Sequence, residues 1–120
     1  MIGKVDDRNR ALIDLEVRQT PISQGTSVTA WIDTAFDGHL VFPAPLIEEL
    51  KLESLAETEA ILADGSKVTL ETFVCYLDWF GTLIPLQVVA NVGKLPLLGT
   101  GLLEGHVLHI DYVNKALTIA

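Results

Sequence analysis

The chain has 120 residues, with 16 acidic and 8 basic side chains, so its formal net charge is −8. This length predicts one domain that spans residues 1–120. The excess of acids leaves no basic surface that could neutralise phosphates, which argues against nucleic acid and against an anionic membrane as partners.

The N-terminus and the single cysteine bear on the compartment. Residues 1–8 include two acids and no apolar core of a signal peptide, and no apolar run approaches the roughly 20 residues that a bilayer span needs. Because Cys75 is alone, it predicts neither an internal disulfide nor a multi-thiolate metal site. We therefore expect a cytoplasmic protein, and its surplus of apolar residues indicates a buried subunit interface.

The first half of the chain predicts three strands and one helix. Apolar and polar residues alternate with period 2, as in strands with one buried face, and the strands are placed at residues 13–17, 28–32 and 40–42. Residues 43–52 predict a helix, because proline and acids lie near its start and Leu46 and Leu50 are four residues apart on one face.

The second half predicts strands joined by tight turns. They are placed at residues 57–62, 67–73, 74–80, 83–90, 106–111 and 117–120. Asp64-Gly65 between two strand patterns is a strong hairpin signal. Residues 95–105 hold three glycines among leucines, which predicts a tightly folded segment with a brief helical turn. The pattern as a whole predicts a mostly β domain of about eight short strands, a barrel or a sandwich.

Asp33 is the most informative acidic residue. It stands where an apolar strand ends and is followed by Thr34 and Ala35. An acid at the edge of a packed core can have its pKa perturbed by desolvation or by a like charge. Taken alone, the segment is more typical of a solvated turn residue than of a catalytic acid.

Two further segments follow Asp33 in an order that matches a known family. The three segments are Trp31-Ile32-Asp33-Thr34-Ala35, then Ala63-Asp64-Gly65-Ser66, then Leu97-Leu98-Gly99. In this order the chain resembles the retropepsin-like aspartic proteases (clan AA), in particular their small bacterial-type members, over residues 11–120. The resemblance implies a small closed acid-protease barrel with one short helix, functional as a homodimer.

The resemblance also implies an aspartic-type endopeptidase with no cofactor and no metal. Asp33 of each copy would form a dyad that activates a water against a peptide bond, and the Thr34 hydroxyl would hydrogen-bond across the twofold axis. The hairpin at residues 63–66 would close over a peptide or protein substrate. Residues 97–99 would cross behind the active-site loop and support it.

Ala35 departs from the family pattern, which has glycine in this position. Its methyl group adds bulk where backbones approach, and a positive φ there would add conformational cost. The sequence therefore leaves two alternatives to an active enzyme. One is a catalytically silent dimer that binds extended peptides, and the other is a monomeric structural barrel in which Asp33 is only a turn residue.

The remaining candidates have plainer interpretations. His106 and His109 are three residues apart on a predicted strand, so their side chains point to opposite faces and do not share a metal ion. Asp37 and His39 are interpreted as solvated loop residues, and Cys75 as a small buried hydrophobe.

Overall fold

The computed structural model describes residues 1–120, apart from the side chain of Thr58. Ten strands and two short helices follow in chain order: β1 Ile2–Val5, β2 Ala11–Arg18, β3 Thr26–Ile32, β4 Leu40–Pro43, α1 Ala44–Leu50, β5 Glu53–Ile61, β6 Lys67–Trp79, β7 Thr82–Asn91, β8 Leu97–Leu98, α2 Thr100–Leu103, β9 Leu108–Asp111 and β10 Ala116–Ile119.

Six of the strands close into a barrel. Their hydrogen-bonded order is β6-β7-β4-β8-β3-β2, and β2 pairs again with β6 through Val17↔Leu77 and Arg18↔Tyr76. Closure gives each of these six strands a hydrogen-bonded neighbour on both sides. The other four extend the sheet on either side, with β5 on β6 and the sequence β1-β10-β9 on β2.

The core follows from the period-2 pattern of the strands. In β3, Val28, Ala30 and Ile32 are buried, while Thr29 and Trp31 between them are exposed. The same alternation in the other strands gives one apolar cluster inside the barrel. Its largest fully buried side chains include Phe42, Ile13, Leu15, Leu40, Leu77 and Leu98.

The mostly β class predicted from the sequence pattern and the closed barrel implied by the family resemblance are confirmed, with corrections to the elements. The residues placed in two strands, 67–73 and 74–80, form the single strand β6, and the strand placed at 106–111 begins at Leu108. Two strands, β1 and β8, were not predicted, so there are ten rather than about eight. There are also two short helices rather than one, the second being the four-residue α2 at the expected helical turn.

The first helix spans residues 44–50 and is shorter than the predicted 43–52, because the backbone conformation of the flanking residues ends it on both sides. Pro43 precedes it with φ −58°, and Lys51 ends it in the left-handed conformation, with φ 55°. The amide N–H of Leu52 then donates to the carbonyl of Ile47. Glu48 lies beyond the first turn, so the predicted contribution of acids at the helix start is wrong.

The C-terminal strand is an inner strand of the sheet. β10 lies between β1 and β9, with registers such as Gly3↔Leu117 and Thr118↔His109. Leu117 and Ile119 point into the core and are almost completely buried. No helix among the described residues is long and apolar enough to cross a membrane.

We expect Leu117→Ala to destabilise the protein by about 2–5 kcal/mol, because it leaves a cavity in a fully packed region. Thr118→Ala, on the exposed face of the same strand, is the matched control and should change the free energy of unfolding by less than about 0.5 kcal/mol. Urea unfolding of both variants measures the difference. Equal free energies of unfolding for the two variants would contradict the assignment of Leu117 to the buried face and Thr118 to the exposed face of β10.

Candidate active site

Asp33 follows the last residue of β3, and its backbone is fixed by β8. The two strands are parallel, with Trp31 beside Leu97 and Ile32 beside Leu98. The amide N–H of Asp33 donates to the carbonyl oxygen of Leu98, with an N···O distance of 2.9 Å. The N–H of Trp31 donates to the carbonyl of Pro96 at 2.8 Å. The predicted support segment therefore does lie against the strand that carries Asp33.

The chain turns immediately after Asp33. One carboxylate oxygen, Oδ1, accepts a hydrogen bond from the amide N–H of Ala35 at 3.0 Å. The N–H of Phe36 donates to the Asp33 carbonyl at 3.2 Å. Asp33 is half-buried, whereas Thr34 and Ala35 are exposed. This turn aims the carboxylate outward while the backbone remains tied to the barrel.

Ala35 occupies its position without backbone strain. The residues with positive φ are Asn9, Lys51, Phe80 and Lys115 together with three glycines, and Ala35 is not among them. A residue with negative φ does not need glycine for conformational reasons. Within one copy, the departure from the family pattern is therefore the addition of one exposed methyl group.

Two glycines allow the segment after β8 to press against the Asp33 loop. The N–H of Gly99 donates to His39 at 2.9 Å, and the N–H of Gly101 donates to Gly38 at 3.0 Å. A side chain at position 99 would overlap the carbonyl oxygens of Gly38 and Phe36, which are backbone atoms and cannot swing away. Position 101 meets the same obstacle, with Gly38 oxygen 2.8 Å from a Cβ built there.

The role of Gly101 was missed in the sequence, because its neighbour in space is far away in the chain. Thr100, between the two glycines, donates its N–H to the carbonyl of Phe36 at 2.8 Å. Three consecutive residues thus hydrogen-bond to the loop that follows Asp33. The glycine spacing of residues 99–101 was the available signal.

Asp33 opens onto a shallow cavity of about 410 Å³. The described residues that line it are Trp31, Ile32, Asp33, Thr34, Ala35 and Leu97. Asp33 is the only acid in this lining. Trp31, which forms part of the apolar wall of this cavity, is 39% exposed. The guanidinium of Arg10 lies over the Trp31 ring, 5.8 Å from the ring centroid.

The β5–β6 hairpin has the glycine-containing tip expected from its sequence. The N–H of Leu62 donates to Ser66 at 2.8 Å, and Gly65 has φ +84°, which its missing Cβ permits. Asp64 Oδ1 accepts hydrogen bonds from the Ser66 hydroxyl at 2.6 Å and from its amide at 2.9 Å. These bonds lower the pKa of Asp64. The tip, residues 63–66, is exposed and does not line the described cavity at Asp33.

The interpretation of Cys75 as a small buried residue is confirmed by the structure. Cys75 is completely buried, and the burial raises the pKa of its thiol to about 12. Such a thiol is a packing residue rather than a nucleophile. Asp111 caps the turn after β9 by accepting hydrogen bonds from the amides of Val113 and Asn114, which lowers its pKa.

Comparison with known proteins identifies the fold through structure alone. No family model and no curated protein matches the sequence. A retropepsin-like aspartic protease from Rickettsia conorii matches 99% of this chain and 88% of its own, with a TM-score of 0.70 and 15% identity. The EIAV protease matches 82% and 89%, with a TM-score of 0.59 and 16% identity. This chain has a retropepsin-like fold.

The fold of this chain is also similar to that of the protease of simian foamy virus (mac). That structure matches 77% of this chain and 92% of its own, with a TM-score of 0.52 and 16% identity. At such identities the likeness concerns the course of the backbone. The roles of Asp33, the hairpin tip and the crossing segment in this retropepsin-like chain rest on their geometry and are treated as proposals.

We expect Gly99→Ala to destabilise the protein by about 1–3 kcal/mol, because the new methyl group meets backbone oxygens that pack against the Asp33 loop. Gly93→Ala is the control, since a Cβ there approaches only the flexible side chain of Asn91, at 3.2 Å. Urea unfolding compares the two. A Gly99→Ala variant as stable as Gly93→Ala would contradict the close approach.

We expect Ser66→Ala to raise the pKa of Asp64 toward, but not to, its ordinary value of 3.8, because the hydroxyl hydrogen bond is lost and the amide bond remains. The sign follows from linkage: these bonds favour the carboxylate, so they stabilise the tip at higher pH and are lost as the pH falls through the lowered pKa. A carboxyl NMR titration measures the shift. Ser54→Ala, which removes a hydroxyl from the Glu71 carboxylate instead, should leave the Asp64 titration unchanged.

Proposed function

We propose that this protein is a homodimeric aspartic endopeptidase in which Asp33 of each copy contributes one carboxylate of a catalytic dyad. The observation that carries the proposal is the position of Asp33 within a retropepsin-like fold. Its backbone is tied to Leu98, its carboxylate is half-exposed, and it opens onto a cavity at the end of a barrel strand.

The need for two copies follows from the lining of that cavity. Among the described residues, Asp33 is the only carboxylate that faces it. A dyad requires two carboxylates, which share a proton because they cannot both ionise cheaply when they are in contact. In aspartic proteases in general, two aspartates share one proton. The second carboxylate therefore comes from a second copy.

The chemistry uses only the dyad and water. The ionised carboxylate accepts a proton from the water while the water oxygen attacks the scissile carbonyl carbon. The protonated carboxyl donates its proton to the carbonyl oxygen. The resulting tetrahedral adduct collapses when the carboxyl that took the proton of the water donates it to the amide nitrogen, the other carboxylate takes back a proton from an adduct hydroxyl, and the C–N bond breaks, which restores the dyad. The products are one new carboxyl terminus and one new amino terminus, with no acyl-enzyme.

The remaining named segments supply binding and support. Trp31 and Leu97 give the cavity an apolar wall suited to a substrate side chain, and the β5–β6 hairpin offers backbone to an extended peptide. The segment at residues 97–99 holds the Asp33 loop from behind. Thr34 is exposed and free to meet the partner loop. A cytoplasmic location and the absence of a cofactor stay predictions.

We expect Asp33→Asn to lower cleavage of an unstructured protein substrate by at least about 10²-fold, because the neutral amide cannot accept the proton of the water. Asp37→Asn is the matched control, since it removes a carboxylate from the same loop but outside the cavity lining. Initial rates are measured from acid to neutral pH. Cleavage that survives Asp33→Asn would overturn the assignment.

Ala35→Gly separates the active enzyme from the silent peptide-binding dimer. Because Ala35 has no positive φ, we expect wild type to cleave and the glycine variant to change the rate modestly. Binding of an extended peptide by wild type without turnover, together with cleavage by Ala35→Gly, would favour the silent dimer. A wild type that is monomeric and neither binds nor cleaves would favour the structural barrel.

A further inference from the structure

A second cavity adjoins the one at Asp33. It has a volume of about 290 Å³, and the side chains of Trp31 and Leu97 line both cavities. Alternate residues of a strand point to the same face of a sheet, and Trp31 precedes Asp33 by two residues. The two cavities are therefore neighbouring parts of one surface, with Trp31 and Leu97 as their common wall.

The charged residues that line this second cavity are both basic. Its described lining consists of Arg10, Trp31, Gly93, Lys94, Leu95 and Leu97. The chain has 16 acidic and only 8 basic side chains, so a cavity with two bases and no acid in its described lining runs against the charge of the whole protein. We call it the basic cavity.

Arg10 is held over the ring of Trp31 by a single carboxylate. Its Nε donates to Asp6 Oδ2 at 2.7 Å, and its amide N–H donates to Asp6 Oδ1 at 2.9 Å. Among the described residues, none accepts a hydrogen bond from the two terminal nitrogens of the guanidinium, Nη1 and Nη2. The side chain is thus fixed at its inner end, and its terminal N–H groups are left for solvent or for a ligand.

Lys94 supplies the charge that Asp6 does not offset. It is exposed, it lies between β7 and β8, and no described acid forms an ion pair with it. Because Asp6 neutralises Arg10, the basic cavity keeps a net positive charge from Lys94 and hydrogen-bond donors from both bases. The apolar side chains of Leu95 and Leu97 lie beside these donors, which strengthens their attraction for an anion.

The basic cavity is within reach of a substrate side chain near the scissile bond. Successive strand residues are about 3.3 Å apart along the chain, so Trp31 lies roughly 7 Å before Asp33. An extended peptide advances by the same amount per residue. An offset of this length therefore corresponds to a substrate residue within two positions of the bond that Asp33 attacks.

We propose that the basic cavity selects substrates with an acidic side chain within two residues of the scissile bond. This inference rests on the proposed function and names its substrate class, acidic peptide segments. The substrate carboxylate accepts hydrogen bonds from the terminal N–H groups of Arg10 and from the ammonium group of Lys94. Trp31 gives the methylene groups of the same side chain an apolar surface.

An acidic side chain suits these groups better than an apolar one of similar size. A peptide that covers the basic cavity removes water from the Arg10 guanidinium and the Lys94 ammonium group. A carboxylate replaces the lost hydrogen bonds, whereas a leucine side chain leaves the charged donors without acceptors. The hairpin tip does not oppose this preference, since its acid Asp64 is outside the described lining of both cavities.

Matched peptides test the preference. The site at which wild type cuts an unstructured protein defines a parent peptide, and glutamate, glutamine or leucine is placed singly at each of the four positions within two residues of that bond. At one of these positions we expect glutamate to give a kcat/KM at least about tenfold above glutamine, which has the same shape without the charge. Leucine should be no better than glutamine there.

Lys94→Gln and Arg10→Gln test which residues make the selection. Each should lower the glutamate-to-glutamine ratio of kcat/KM by at least about threefold. Lys51→Gln is the matched control and should leave the ratio unchanged, because Lys51 is an exposed lysine that lines neither cavity. Lys94 has no hydrogen-bond partner among the described residues, so its variant folds even where loss of the Asp6 partner destabilises Arg10→Gln.

Peptide binding to Asp33→Asn separates this inference from the proposed function. By fluorescence anisotropy, this variant should bind the preferred glutamate peptide at least about threefold more tightly than its glutamine counterpart, and adding Lys94→Gln should abolish the difference. Such selective binding without cleavage by wild type would support the basic cavity and contradict the enzyme.

Three other outcomes count against the basic cavity. Equal kcat/KM for glutamate and glutamine at all four positions would overturn it and leave the proposed function in place. A glutamate preference that both Lys94→Gln and Arg10→Gln retain would do the same, because other residues would then make the selection. Neither binding nor cleavage of any peptide would overturn the basic cavity and the proposed function together.

Discussion

The close contact between the β8–α2 segment and the loop after Asp33 is the constraint on which the site depends. Gly99 and Gly101 lie so near the carbonyls of the loop that neither has room for a side chain. Hydrogen bonds to Phe36, Gly38 and His39 then fix the loop from one side. Because these bonds tie the loop to the segment that follows β8, and β8 is a strand of the closed barrel, the backbone that carries Asp33 is held against the barrel.

The sequence predicted the features that local chemistry determines. Period-2 alternation placed β2, β3 and β7, and Asp64-Gly65 placed the hairpin turn, because its positive φ and the Asp64 side-chain bonds are local. β8 is different. Its two residues become a strand only through β3 and β4, which precede it by more than 50 residues, so the pattern indicated a compact segment and no more.

The candidate site likewise has features that the local sequence determines and features that depend on residues distant in the chain. Asp33 was identified from its position after an apolar strand. Its proposed catalytic role was inferred from the order of three motifs rather than from any one of them. The cost expected for Ala35 depended on a φ angle that sequence does not contain, and the structure removes the conformational part of that cost. Gly101 was missed because its close contact joins residues that are remote in the chain.

The excess of acidic side chains is concentrated in one part of the chain. The β5–β6 hairpin, residues 53–79, carries six of the acids and one lysine, so much of the net charge of −8 lies on an arm that extends from the barrel. Exposed apolar side chains occur on the same arm, at Leu55, Ile61 and Leu62, as well as beside β9, at Val107 and Val113. Like charges on two such arms oppose direct contact between them, so the exposed apolar side chains of the arm do not favour pairing of one hairpin with another.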